Sequence, residues 1–116
     1  MTGGDLSAGH CKPCKEGDPP LTTAEAMDLL DKLHPDWSID ERGQSISRNC
    51  KFGNYHETIA FVNALAWIAH RQDHHPDLEV SYNRCHIHYS THAIGGLSDN
   101  DFICAARIDA LLQTAS

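Results

Sequence analysis

The sequence predicts one α+β domain in which a leading helix precedes the order ββαββα. Two observations support this prediction. Two stretches of alternating apolar and polar residues each contain a turn signal, as expected of β-hairpins. Each stretch is followed by a segment with apolar residues at helical spacing. This plan implies a four-stranded antiparallel sheet with helices packed on one face.

The first 20 residues lie outside this pattern. They hold four glycines and three prolines and show no apolar period, so we expect residues 1–20 to form a flexible or loosely docked arm. The single domain is expected to cover residues 21–116. Its leading helix should cover about 23–33, behind a capping box at Thr22-Thr23-Ala24-Glu25. His34-Pro35 ends it, because the residue before a proline is disfavoured in a helix.

The first predicted hairpin pairs residues 37–41 with 46–52, around a turn at Glu41-Arg42-Gly43-Gln44. The helix predicted over 55–72 is apolar around much of its circumference, which indicates burial on more than one side. In a chain this small, another subunit is a candidate for the second partner.

The second predicted hairpin pairs residues 78–82 with 84–91, and Ser98 suits the N-cap of the last helix. Side chains alternate between the two faces of a strand. The second arm therefore has a predicted core face and a predicted polar, open face. The first consists of Cys85, Ile87, Tyr89 and Thr91, and the second of His86, His88, Ser90 and His92.

Composition excludes several classes of protein. The 116 residues suit one domain, and a net charge of −7 with pI near 5.6 argues against nucleic acid as a direct partner. A membrane span is not expected, because no apolar run reaches about 18 residues. We see no secretory signal, so a cytoplasmic location is expected. The five cysteines are an odd number, which argues against a disulfide framework.

Histidine is unusually frequent, with nine residues against nine Lys plus Arg. It exchanges protons readily near neutral pH. Two blocks stand at the ends of predicted elements, namely Asp73-His74-His75-Pro76 after the long helix and Ser90-Thr91-His92 after a strand. Asp101 follows at the mouth of the last helix. Because functional side chains are often presented at element ends, these blocks are the candidate site.

A family resemblance rests on these blocks. In order and spacing, His70-Arg71-Gln72-Asp73-His74-His75-Pro76, Tyr82, Ser90-Thr91-His92, Gly96-Leu97-Ser98 and Asp101 resemble the motif of the pterin-4a-carbinolamine dehydratases. Trp37, which follows a Pro-Asp pair, and Ala60-Phe61 fit the same pattern, and the resemblance spans residues 21–113. His70 departs from the glutamate that many members carry there.

The resemblance implies a hydro-lyase that dehydrates 4a-hydroxytetrahydropterin to quinonoid dihydropterin by histidine general acid/base catalysis. It also implies a role in recycling tetrahydrobiopterin, with a pterin-dependent aromatic amino acid hydroxylase as a possible partner and a homodimer or homotetramer as the assembly. The pterin is then the substrate, and we expect no metal and no organic cofactor.

The resemblance also implies roles for individual residues. His74 and His92 exchange protons at the 4a-hydroxyl and at N5, and His75 binds and orients the pterin and is a second candidate base. Which histidine is the acid does not follow from the sequence. Asp101 and His70 are expected to support catalysis. The expected substrate-binding residues comprise the three histidines together with Asp73, Pro76, Ser90, Thr91, Ala93 and Trp37.

Each motif also has a purely structural interpretation. His74-His75-Pro76 suits a helix stop, Asp101 suits a helix N-terminus, and Trp37 suits the core better than a pocket wall. The alternative function is that of a binding, coactivator or assembly protein. In this case the chain is a non-catalytic member of the same fold and acts through its helices.

Two further motifs allow metal binding. His86-x-His88 has the spacing of metal ligands on a strand, but the alternation alone explains it, and solvated residues are favoured. His10-Cys11-x-x-Cys14 is a lone pair of cysteines and a weak basis for a zinc or redox site. It is interpreted as part of an ordinary arm.

Overall fold

The computed structural model describes residues 6–114. Its elements, numbered here in chain order, agree with the predicted ββαββα order behind a leading helix. They are α1 (Thr23–Leu30), β1 (Ser38–Ile39), β2 (Ile46–Lys51), α2 (Tyr55–Gln72), β3 (Asp77–Ser81), β4 (Arg84–Tyr89), a 3₁₀ turn (His92–Ile94) and α3 (Asp99–Thr114). The fold class is therefore α+β, as predicted.

The four strands form one antiparallel sheet in the order β1-β2-β4-β3. Strand β4 lies between β2 and β3, and its Cys85 is opposite Cys50 of β2 on one side and Val80 of β3 on the other. Strand β3 is an edge strand. A side chain on β4 therefore has a neighbour on each side of the same sheet face.

Three elements differ most from the prediction. Helix α1 ends at Leu30, because the chain tightens into turns in which Lys32 and Leu33 donate to carbonyls three residues back. Strand β1 is only two residues long. Strand β4 ends at Tyr89, and Thr91 instead forms an isolated bridge with Gly96.

The core lies between one face of the sheet and the helices. Cys85, Ile87 and Tyr89 of β4 are fully buried, which confirms the predicted core face of this strand. They pack with residues of α2 and α3, among them Phe61, Leu65, Phe102, Ala105 and Ile108. The side chains of His86 and His88 lie on the opposite, open face, as predicted.

Helix α2 is apolar on more sides than the sheet covers. Phe61, Leu65 and Ala69 are buried, whereas Trp67 is 61% exposed. Among residues 6–114, no helix is long and apolar enough to span a membrane.

Candidate active site

The C-terminus of α2 sets the position of the first histidine block. Asp73 adopts a left-handed conformation with φ 52° and ψ 41°, which aspartate tolerates better than most residues. The N–H of His74 then donates back to the carbonyl of Ala69 over 3.1 Å. The N–H of Asp73 also donates to the carbonyl of His70, over 3.3 Å. These two hydrogen bonds form a Schellman motif, which turns the chain so that His74 lies against α3.

His74 is held by a buried carboxylate. Its Nε2 lies 2.6 Å from Oδ1 of Asp101, whose side chain is fully buried. The other carboxylate oxygen accepts hydrogen bonds from the Thr91 hydroxyl at 2.9 Å and from the Ser98 N–H at 3.0 Å. Asp101 therefore joins the end of α2, the segment after β4 and the N-terminus of α3 at one point.

This environment favours the protonated imidazole. Burial of the ring opposes its charged form, but the hydrogen bond and negative charge of Asp101 outweigh burial and raise the pKa of His74 above its ordinary value. The ring also stacks on Tyr89, with centroids 5.4 Å apart and planes 14° from parallel. Its orientation is thus fixed from two sides.

A cavity of about 490 Å³ opens beside this pair. Its size is within the range of small-molecule sites. It brings together most of the residues predicted from the sequence: Asp73, His74, His75, Ser90, Thr91, His92 and Ala93 all line it. His75 and His92 are exposed, so their rings are open to an incoming ligand.

Three predicted residues lie elsewhere. Pro76 and His70 line an adjoining hollow of about 380 Å³, and the exposed His70 ring lies 5.7 Å from that of Trp67. Trp37 is in the core, where its indole N–H donates to Asp109 over 2.7 Å. The same carboxylate binds Arg48 at 2.6 Å. Trp37 therefore has the core position that its structural interpretation predicted, and it does not line the cavity.

Part of the N-terminal arm forms a wall of the cavity, which sequence reasoning did not predict. The N–H of Cys11 donates to the side-chain oxygen of Gln72. The backbone N–H of Lys12 donates to the side-chain oxygen of Asn100, and the side-chain nitrogen of Asn100 donates to the backbone carbonyl of Lys12. Cys11, Lys12, Pro13 and Cys14 all line the cavity. The Cys-x-x-Cys motif was the only local signal, and nothing near it in the sequence indicates its partners.

Two thiols meet behind this wall. The sulfur of Cys11 lies 3.5 Å from that of Cys104 on α3. The hydrogen bond between the two sulfurs lowers the pKa of Cys11 against the opposing effect of burial, and the same contact, together with burial, raises the pKa of Cys104. Of the two sulfurs, that of Cys11 belongs to a residue that lines the cavity.

Fold and site together define a class. The protein is an α+β domain with several histidines around one cavity, one of them tied to a buried carboxylate, and such an arrangement is able to exchange protons with a bound ligand near neutral pH.

Comparison with known proteins identifies the family. The family model described as pterin 4 alpha carbinolamine dehydratase matches residues 19–111. A relative from Nitrosomonas eutropha named as a pterin-4-alpha-carbinolamine dehydratase is 55% identical over 108 residues, which are 93% of this chain and 94% of that protein. A similarly named relative from Legionella pneumophila (strain Lens) is 51% identical over 93% of this chain and 96% of that protein. The chain therefore belongs to the pterin-4a-carbinolamine dehydratase family, a family of lyases.

Solved structures agree with this assignment. A transcriptional coactivator/pterin dehydratase from Brucella melitensis is similar with a TM-score of 0.75 and 28% identity, over 79% of this chain and 97% of that one. A pterin dehydratase-like protein identified as a RuBisCO assembly factor in the alpha-carboxysome has a TM-score of 0.59 and 26% identity, over 67% of this chain and 90% of that one.

Proposed function

We propose that this chain dehydrates 4a-hydroxytetrahydropterin to quinonoid dihydropterin by histidine acid/base catalysis, and that it thereby recycles a tetrahydropterin cofactor. The observation that carries the proposal is the His74–Asp101 pair at the edge of a cavity that also holds His75 and His92. The assignment to the family supports the substrate class.

The reaction needs one acid and one base. Hydroxide is a poor leaving group, so the 4a oxygen must receive a proton, and N5 of the ring must lose one. Asp101 engages Nε2 of His74, which leaves Nδ1 as the nitrogen that exchanges a proton with the substrate. Because its pKa is raised, His74 is protonated over a wider pH range than a free imidazole and is assigned as the acid.

The exposed histidines take the complementary roles. His92, at the start of the 3₁₀ turn, is assigned as the base at N5, and His75 as the residue that binds and orients the pterin. Polar groups of Ser90, Asp73 and the backbone around Ala93 line the same cavity and would bind the ring edge. Neither a metal nor an organic cofactor takes part in this scheme.

The test is the rate of carbinolamine dehydration by the purified chain without added metal. His74→Ala is expected to lower kcat by about 10²–10⁴-fold, the usual contribution of one positioned proton transfer. His56→Ala is the matched control, because His56 is exposed near the start of α2 and away from the cavity. Full activity of a His74→Ala/His92→Ala double variant that is still folded by circular dichroism would overturn the proposal.

A binding role of the same fold is the second candidate, and the exposed Trp67 on α2 is the observation that favours it. Both structural relatives carry names with such roles. The homodimer or homotetramer, the hydroxylase partner and the cytoplasmic location remain predictions. Trp67→Glu tests whether α2 forms an interface between copies of the chain. If it does, this variant should have a lower mass in a sizing experiment, while His74→Ala should leave the mass unchanged.

A further inference from the structure

The open face of the sheet carries a second cluster of histidines, on the side opposite the helices. Glu79 of β3 and His86 and His88 of β4 place three potential ligand atoms within 4.8 Å of one another. Among residues 6–114, it is the one group of three or more His, Cys, Asp or Glu side chains with such spacing. The proposed dehydration does not use any of these residues.

Strand register creates the cluster. Glu79 is directly opposite His86, and Asp77 is directly opposite His88. Residues paired in this way point to the same face of an antiparallel sheet. The sequence shows only the His-x-His pair, whereas the fold supplies a carboxylate between the two rings and a second carboxylate beside them.

The distances fit a metal site. Oε1 of Glu79 lies 3.3 Å from Nε2 of His88 and 3.7 Å from Nδ1 of His86. Ligand atoms about 2.0–2.1 Å from a tetrahedral zinc ion are separated by about 3.4 Å. The two rings are close, with centroids 4.2 Å apart. A small rotation of partly exposed side chains is therefore enough to bring all three atoms onto one ion.

We propose that Glu79, His86 and His88 bind Zn²⁺, with a fourth position open to water or to the carboxylate of Asp77. Two imidazoles and one carboxylate are a donor set that zinc uses in proteins. Ca²⁺ and Mg²⁺ prefer oxygen ligands and are not expected to compete at equal concentration. The bound ion would join the edge strand β3 to β4 on the face that the helices leave uncovered.

Direct titration with Zn²⁺ tests the proposal, by calorimetry on the full chain and by the visible spectrum of the Co²⁺ form, which reports tetrahedral coordination. One ion per chain is expected. His86→Asn and His88→Asn should each weaken Zn²⁺ binding by at least about 100-fold, because even residues that only orient ligands contribute about 10–100-fold. Asp77→Asn should have a smaller effect than Glu79→Gln.

Thermal unfolding supplies a second measurement. Zn²⁺ at about 100 times its Kd should raise the Tm by roughly 10 °C, and this increase should disappear in the His86→Asn/His88→Asn variant. The rate of dehydration should be the same in this variant as in the unaltered chain, since the cluster lies on the other side of the sheet from His74.

Two other sets of potential zinc ligands among residues 6–114, which lack the spacing of the Glu79 cluster, define the controls. A Cys11→Ser/Cys14→Ser variant removes the thiols of the arm, and a His75→Asn/His92→Asn variant removes the exposed histidines of the cavity. Both should keep the full affinity for one ion. Binding that survives in His86→Asn/His88→Asn but is lost in either control, or the absence of binding by the unaltered chain, would overturn the proposal.

Discussion

On each face of the sheet a histidine contacts a carboxylate, and the two pairs, His74–Asp101 and His88–Glu79, differ in burial. The side chains of His74 and Asp101 are 13% and 0% exposed, whereas those of His88 and Glu79 are 36% and 71% exposed. The residue types are the same. What differs is how firmly the carboxylate is held.

Asp101 has no freedom to change partners, because the Thr91 hydroxyl and the Ser98 N–H engage its second oxygen. Its first oxygen stays on His74, and the hydrogen bond and charge of Asp101 raise the pKa of that ring. Glu79 lies on an edge strand in solvent and contacts two rings at once. A buried carboxylate with fixed partners suits the proposed proton transfer, and an exposed carboxylate that contacts two rings suits the proposed binding of an ion. The location of the carboxylate thus determines what an adjacent histidine is suited to do.

Removing the charge of each carboxylate in turn tests whether the buried pair and the exposed pair differ in function, and this test has the largest expected effect. Asp101→Asn should lower kcat by about 100-fold, because His74 loses the charge that keeps it protonated. It should also lower the free energy of unfolding by about 1–3 kcal/mol, the cost of an impaired buried hydrogen-bond network. Glu79→Gln, on the other side of the sheet, should leave kcat within about twofold.

The pH profile separates a positioning role of Asp101 from a merely structural one. His74 as the acid must be protonated, so activity falls as the pH rises through its pKa. Without the charge of Asp101 this pKa is lower, and the alkaline limb of the kcat profile should move to lower pH. A reduced kcat with an unmoved alkaline limb would mean that Asp101 acts only through the fold.

The sequence was most informative where its signals are local. The bounds of α2 were predicted at Tyr55 and Gln72, because a sharp stop at His74-His75-Pro76 follows an uninterrupted apolar pattern. The inward face of β4 followed from simple alternation. The supporting role expected of Asp101 came from the family motif rather than from periodicity.

The features that sequence reasoning missed depend on contacts between distant parts of the chain. Cys11 and Gln72 are 61 residues apart, and Lys12 and Asn100 are 88 apart. No local pattern encodes such contacts. The pairing of Glu79 with His86 depends on the register of a hairpin, and a shift of one residue would move Glu79 to the other face. For Trp37 the family motif implied a place in the substrate-binding site, but the residue lies in the core.

The stability of the two pairs should depend differently on pH. Because the pKa of His74 is raised in the folded state, its contribution is complete below the unfolded value of about 6.5 and is lost as the pH rises through the folded value. The excess stability of the unaltered chain over His74→Gln, measured by urea unfolding, should therefore decrease from pH 6 to pH 9. For His88→Gln the excess should be small throughout, about 0–1 kcal/mol, as for exposed ion pairs. An equal decrease for both variants would contradict the difference in burial.

The smallest expected effect concerns the N-terminal arm, which forms one wall of the cavity beside His74. Asn100→Ala removes both hydrogen bonds to the backbone of Lys12. Each is worth about 1 kcal/mol. Because the arm forms only one wall of the cavity, we expect about half of the combined loss to reach pterin binding, so KM should rise by roughly fivefold while kcat stays within about twofold. Asn49→Ala, at an exposed position of β2, is the control. Trypsin should cleave after Lys15, which is exposed and is not followed by a proline, faster in Asn100→Ala than in the control, because the freed arm is more accessible. Unchanged KM together with faster cleavage would show that the arm docks beside the cavity without shaping it for the substrate.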